Sequence, residues 1–95
     1  MIEHMSPRER GDLRQAVGRG AAWARVVGCF LDGARLLLGW DRALTEDEIA
    51  RRTGIPPADA RGAIEEASRW LVARKLHLLG WQEEDGGRRH LMAVG

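Results

Sequence analysis

Hydrophobic residues repeat with helical spacing over most of this chain and alternate every second position near its end. The cleanest helical pattern runs from residue 21 to residue 39, where Arg25, Asp32 and Arg35 lie opposite an apolar stripe. The stripe consists of Trp23, Val26, Val27, Phe30, Leu31, Ala34, Leu37 and Leu38. This period is typical of an amphipathic helix, and we predict one helix here that ends at Gly39.

Residues 45–76 carry the signals of two helices joined by a sharp turn. Thr45 and Glu48 are spaced as a capping box at the start of the first helix. Gly54 can adopt the left-handed conformation that ends a helix, and Pro57 suits the first turn of the next one. Small and apolar residues fall where such a pair must pack: Ile49, Ala50, Gly54, Ile55, Ala60 and Ala63. We therefore predict a helix-turn-helix over this whole range.

Residues 1–20 contain a helix with clear signals for its start and conflicting signals for its end. We expect the first five residues to be frayed. Ser6 and Glu9 form a second capping-box pattern, after which the helix begins. Gly18 and Gly20 each weaken a helix by about 1 kcal/mol relative to Ala. The pattern leaves open whether the helix breaks there or continues.

Residues 77–94 change to the alternation of a β-hairpin. Gly86-Gly87 is the signal of a two-residue turn between the strands. The pairs that this loop creates are Leu79 with Val94, Trp81 with Met92, Glu84 with Arg89 and Asp85 with Arg88. This register places the four apolar side chains on one face, and a slip by one residue separates them.

The order of these elements over residues 21–94 resembles a winged helix-turn-helix, as in regulators of the MarR and ArsR kinds. The run Trp70–Leu76, WLVARKL, with Gly20–Trp23 upstream, also looks like a small, largely uncharacterised bacterial and archaeal winged-helix family. That family has W-L-A-R-x-x-K-I near the end of its third helix, and Val72 and Ala73 depart from it. The resemblance implies a mainly α fold with a C-terminal β-hairpin as the wing.

Length and composition limit the class of protein. A chain of 95 residues makes one domain, 1–95, and 44% hydrophobic with 31% charged residues is typical of a globular protein. No apolar run of about 18 residues is present, so we expect no membrane association. The single cysteine agrees with a cytoplasmic location. Cys29 itself is more readily a small buried residue than a thiol sensor.

The sequence carries no recognisable catalytic chemistry. No His, Cys, Asp or Glu cluster has metal-ligand spacing, and there is no phosphate-binding glycine loop or nucleophile elbow. His77 and His90 would approach each other on the hairpin, but two histidines without a third ligand are weak grounds for a metal. We therefore expect no enzyme, no cofactor and no metal.

The winged-helix resemblance implies double-stranded DNA as the partner, with the helix after Pro57 in the major groove. The groove-facing positions are then Pro56, Pro57, Ala58, Arg61, Gly62 and Glu65. Of these, Arg61 alone can make a bidentate contact with guanine. Phosphate contacts would come from Arg51, Arg52, Arg69, Arg88 and Arg89. The run DGGRR at 85–89 also resembles the Asp-to-Arg wing signature of MarR-type proteins, with an extra Gly and an extra Arg.

Two further expectations concern partners. The first, the alternative to DNA binding, is a protein-interaction module that keeps the fold, because the presumed recognition helix has an acidic, small-residue surface and the net charge is only +1. Arg88 and Arg89 can also be neutralised by Asp85 and Glu84 across the hairpin. The second is a homodimer, because the apolar stripe exceeds what two short helices cover in so small a chain. The candidate dimer residues are Leu13, Val17, Trp23, Val27 and Phe30.

Overall fold

The fold is mixed α and β, as seen in a computed structural model that describes residues 3–32, 35–37, 42–76, 78–83 and 89–94. These residues form four helices and two small antiparallel sheets. The elements are β1 Glu3–His4, α1 Pro7–Gly18, α2 Ala22–Gly28, β2 Leu31–Asp32, β3 Arg35–Leu36, β4 Leu44–Thr45, α3 Glu46–Thr53, α4 Pro57–Ala73, β5 Leu78–Glu83 and β6 Arg89–Val94. We predicted a mainly α fold with strands only in a C-terminal hairpin. That prediction was wrong in part, because strands β1 to β4 lie outside the hairpin.

The start of α1 follows its capping signals. The backbone N–H of Glu9 donates to Ser6 Oγ at 3.2 Å, and the Ser6 N–H donates to Glu9 Oε1 at 2.8 Å, which completes the predicted capping box. The helix ends at Gly18, and Gly20 adopts a φ of +79° before α2 begins. The chain thus breaks between two helices at these glycines.

The expectation that residues 1–5 are frayed was wrong for residues 3–5, and residues 1 and 2 lie outside the described part of the chain. Glu3–His4 pairs antiparallel with Arg35–Leu36, which in turn pairs with Leu31–Asp32, so that β3 is the central strand of a small sheet. Met5, which follows the first strand, is 4% exposed. The partner strand lies far along the chain, and local sequence signals do not report such pairings.

The predicted helix over residues 21–39 was wrong beyond Gly28. The helix α2 stops there, and the chain turns at Cys29 and Phe30 into β2 and β3. Phe30, a member of the predicted stripe, is 1% exposed, but beyond it the helical period misplaces burial: Leu36, outside the stripe, is 2% exposed, whereas Leu31 and Leu37 are only half-buried. Ala34 and Leu38 to Asp41 lie outside the described residues.

The two helices predicted over residues 45–76 are α3 and α4. Thr45 Oγ1 accepts the N–H of Glu48 at 3.1 Å, while the Glu48 carboxylate bonds the Thr45 hydroxyl rather than its backbone N–H, so the capping box is only half made. Gly54 has the left-handed φ of +72°, and Pro57 occupies the first turn of α4. The helix α4 ends at Ala73, three residues before the predicted Leu76.

The hairpin is formed by β5 and β6, but its predicted register was wrong by one residue. Trp81 lies opposite Leu91, and Leu79 lies opposite Ala93. The reason is that β6 is a central strand: Leu91 also faces Leu44 of β4, and the sheet order is β4-β6-β5. The buried Leu91 is therefore paired with Leu44 of β4 on one side and with Trp81 of β5 on the other. Residues 84–88, including the predicted Gly86-Gly87 turn, lie outside the described part of the chain.

The hydrophobic core lies between the helices and the inner face of this second sheet. Its largest fully buried side chains are Phe30, Ile49, Leu71, Leu91, Val26 and Val27. Beside the core, the ring centroids of Trp23 and Trp70 lie 5.4 Å apart. The guanidinium carbon of Arg74 lies 4.2 Å from the Trp70 ring centroid. Arg74 also pairs with Asp12 at 3.7 Å, which joins the end of α4 to α1. No helix in the described ranges has the length and apolar character needed to cross a membrane.

Candidate nucleic-acid interface

The outer face of α4 presents most of the predicted DNA-contacting residues to solvent. Its inner face consists of Ala60, Ala63, Ile64, Ala67 and Leu71, all buried against the core. The helical period then leaves the remaining positions outside, and Pro57, Ala58, Arg61, Gly62 and Arg69 are all exposed. Asp59, Glu65 and Glu66 are exposed on the same helix, so its surface carries both signs of charge.

Arg61 forms an ion pair that the sequence did not predict. Its Nε lies 3.2 Å from Oε1 of Glu46, the first residue of α3, and the two side chains are 64% and 37% exposed. The ion pair joins α4 to α3. The residue predicted to read a base is therefore joined to the start of the neighbouring helix.

A groove of about 530 Å³ separates the start of α3 from strand β6. It is lined by Thr45, Glu46, Asp47, Glu48, Arg51 and Arg89. Two of the predicted phosphate-contacting arginines, Arg51 and Arg89, thus share one groove although they lie far apart in the chain. Arg52 lines a neighbouring hollow with Arg42 and Cys29. Arg88 lies outside the described residues.

The side chain of Arg89 stacks on the hairpin rather than being paired within it. Its guanidinium carbon lies 4.6 Å from the centroid of the Trp81 ring, a cation–π contact. Arg89 lies opposite Glu83, not opposite Glu84 as predicted. Among the described residues, the ion pairs are those of Arg61 with Glu46 and Arg74 with Asp12. Arg89 therefore forms no ion pair with a carboxylate of the described ranges, although Glu46, Asp47 and Glu48 line the same groove.

Cys29 has the environment of a structural thiol. It is partly buried, and its Sγ donates to the Arg25 carbonyl oxygen at 3.5 Å. Burial raises the pKa of the Cys29 thiol, and the positive charge of Arg52 lowers it by a smaller amount. A raised pKa reduces the thiolate fraction and hence reactivity. Across the described ranges, no group of three or more His, Cys, Asp or Glu could hold a metal.

The predicted dimer surface is largely occupied by the core of the chain itself. Val27 and Phe30 are 0% and 1% exposed, so they have no area to offer a partner, and that part of the prediction was wrong. Leu13 is also buried, and Trp23 is half-buried against Trp70. Val17 is 46% exposed and remains available. The prediction assumed one continuous helix with this stripe on its surface. The helix α2 instead ends at Gly28, and Val27 and Phe30 are buried in the core.

Arg25 has a role that sequence reasoning missed. Its place opposite the apolar stripe predicts a solvated side chain, but its Nη1 donates to the Thr53 carbonyl oxygen at 2.9 Å and its Nη2 donates to the Gly20 carbonyl oxygen at 3.2 Å. The bond to Thr53 joins α2 to the end of α3, beside the turn between α3 and α4. A charged residue on an amphipathic helix gives no sequence signal for a partner 28 residues away.

Comparison of this chain with protein-family models, with curated proteins and with solved structures found no match. The function is therefore argued from the geometry of the site.

Proposed function

We propose that this protein is a transcriptional regulator that binds double-stranded DNA through a winged helix-turn-helix. The observation that carries the proposal is the exposed face of α4, with Arg61 near its start, beside a groove where Arg51 and Arg89 converge. The succession of α2, α3, α4 and the β5–β6 hairpin supports the resemblance to MarR and ArsR kinds of regulator.

In this proposal α4 enters the major groove and the hairpin is the wing beside it. Arg61 contacts a base edge, since its guanidinium can bond guanine O6 and N7 together. Arg51, Arg52, Arg69 and Arg89 contact phosphates, because all four are exposed and none is in an ion pair with a described residue. Arg88 would join them.

Selectivity for base sequence should be weak. Apart from Arg61, the exposed positions at the start of α4 are Pro57, Ala58 and Gly62, whose side chains cannot hydrogen-bond a base, and Asp59, whose carboxylate can only accept a hydrogen bond and repels phosphates. Affinity must therefore come mainly from Arg–phosphate contacts, which are independent of sequence and weaken as salt is added.

We further propose that the protein acts as a homodimer in the cytoplasm. Two copies would place two α4 helices on successive half-sites of a duplex. Of the predicted dimer residues, Val17 on α1 is the one that the fold of a single chain leaves exposed.

A specific observation favours a second function, a protein-interaction module without DNA binding. The acids Asp59, Glu65 and Glu66 are exposed on α4, and Asp47 is exposed at the start of α3. These carboxylates repel phosphates from the helix that would have to approach them. The same surface would then bind a partner protein, and no duplex would bind.

Titration of a fluorescently labelled duplex at about 50 mM salt separates the two functions, because electrostatic binding is strongest at low salt. The regulator predicts saturable binding that weakens steeply as salt is added. Absence of any binding at this salt concentration would overturn the regulator and favour the interaction module.

A further inference from the structure

We infer that Glu46 is a positioning residue that sets the base specificity of this protein by orienting Arg61 towards guanine. This inference rests on the proposed DNA-binding function and adds a residue to it. The observation behind it is the distance of 3.2 Å between Arg61 Nε and Glu46 Oε1, an ion pair that reaches across the helix-turn-helix from α4 to α3.

The ion pair occupies Nε of Arg61, a donor that is not needed when Nη1 and Nη2 bond guanine. Arginine has five N–H donors in a fixed planar fork, one on Nε and four on the two Nη atoms. Glu46 accepts from Nε. Within the described part of the chain, Nη1 and Nη2 of Arg61 donate to no acceptor, so the end of the fork stays free. These two atoms can bond guanine O6 and N7 together.

The position of Glu46 makes it a support for Arg61 rather than a DNA-contacting residue itself. It is the first residue of α3, and its carboxylate is less exposed than the guanidinium it holds, at 37% against 64%. An exposed pair of this kind adds little to the stability of the fold. Its effect is to reduce the freedom that the long Arg61 side chain loses on binding. Ordering one such side chain costs a binding partner roughly two- to tenfold in affinity.

The negative charge of Glu46 has an opposite effect on DNA, since a carboxylate in the groove beside Arg51 repels phosphates. Glu46 therefore lowers the affinity for every duplex while it raises the preference for guanine at one position. The neighbouring Asp47 supplies a matched comparison. It lies in the same first turn of α3 and lines the same groove, but it forms no ion pair with Arg61.

The experiment measures duplex affinity for the full chain and for four variants: Glu46→Ala, Asp47→Ala, Arg61→Ala and the Glu46→Ala/Arg61→Ala double variant. A duplex is first selected from a random pool with the unmodified protein, and each of its base pairs is then changed singly. The position where Arg61→Ala loses its preference for guanine is the position that Arg61 reads. The readout is the ratio of affinities for guanine and for the other bases at that position.

Glu46→Ala should lower this ratio by roughly two- to tenfold, whereas Asp47→Ala should leave it unchanged. Both variants should bind a non-selected duplex somewhat more tightly, since each removes one negative charge. In the Arg61→Ala background, removing Glu46 should not change the ratio further, because the two residues act as a unit. A purely structural role of Glu46 would not move a base-specific ratio, and thermal unfolding of each variant checks that the fold is retained.

The experiment distinguishes failure of the proposed DNA-binding function from failure of the inference about Glu46. If the unmodified protein binds no duplex at about 50 mM salt, both the proposed function and this inference are wrong. If it binds but Glu46→Ala keeps the ratio, or Asp47→Ala lowers it equally, only the inference about Glu46 is wrong. If no position shows a preference that depends on Arg61, the inference is also wrong, while binding through phosphates stands.

Discussion

The guanidinium of Arg25 donates a hydrogen bond of 2.9 Å from Nη1 to the carbonyl oxygen of Thr53. Thr53 is the last residue of α3, where carbonyl groups lack partners within the helix. Its hydroxyl donates to the Ile49 carbonyl oxygen and accepts the N–H of Ile55, so the whole turn is bonded around one buried threonine. Arg25 thereby fixes the turn that sets the angle between α3 and α4.

Replacing Arg25 with Met should lower the free energy of unfolding by about 1.5–3 kcal/mol, the range for a hydrogen bond to a charged group. Met keeps most of the apolar stem and removes the donors to Thr53 and Gly20. Urea denaturation followed by circular dichroism measures the change. Arg14→Met, at an exposed position of α1, is the control and should stay within about 0.5 kcal/mol. Equal effects of the two replacements would show that the Arg25 bonds do not matter.

Gly62 is an exposed glycine inside α4, and an added Cβ would meet nothing within 4 Å. Gly62→Ala should therefore raise the free energy of unfolding by about 0.5–1 kcal/mol, as alanine is the better helix former. If α4 enters a DNA groove at this position, the new methyl group should also weaken duplex binding. Gly11→Ala in α1, where a Cβ would likewise meet nothing, should stabilise the protein without changing binding. Unchanged binding by Gly62→Ala would remove Gly62 from the interface.

The thiol of Cys29 should react slowly with iodoacetamide. Burial raises its pKa, so the pH–rate profile should rise at a higher pH than that of the unfolded chain. Arg52→Gln removes the charge that lowers this pKa, and the reaction at mildly alkaline pH should then slow further. Arg51→Gln removes an equal charge one residue away and should change the rate less. A faster reaction in Arg52→Gln would contradict this assignment of charges.

The homodimer proposal predicts a sedimenting species of twice the 10.6 kDa chain mass at micromolar concentration. Val17→Asp should shift it towards the monomer, because a charge in an apolar contact is costly to bury. Val72→Asp alters another exposed apolar residue, on α4, and should leave the assembly unchanged. A clean monomer of the unmodified chain would contradict the homodimer and the expectation of two half-sites.

Local signals predicted the parts of the fold that a few neighbouring residues decide. The capping box of Ser6 with Glu9 and the stop at Gly54 are examples, since each needs partners no more than four residues away. The end of α2 was not predictable from its apolar stripe, because Phe30 is buried equally well by a turn into a strand.

In the candidate site, too, local sequence signals placed the residues that neighbours along the chain decide and missed the contacts between distant elements. Helical spacing after Pro57 was enough to place Arg61 and Gly62 on the outer face of α4. The ion pair of Arg61 with Glu46 depends on the angle between two helices, which no local pattern specifies. The hairpin register likewise depended on pairing with β4, a two-residue strand that is too short to show an alternating pattern.

The salt dependence of duplex affinity tests the central claim most directly. Removal of one phosphate-binding arginine should lower the slope of log affinity against log salt by about 0.9. Arg51→Ala, Arg52→Ala and Arg89→Ala should each show this reduction for all duplex sequences alike, and Arg14→Ala on α1 should keep the slope of the unmodified protein. Duplex binding absent at about 50 mM salt, or a slope that none of the three variants changes, would contradict DNA binding through this surface.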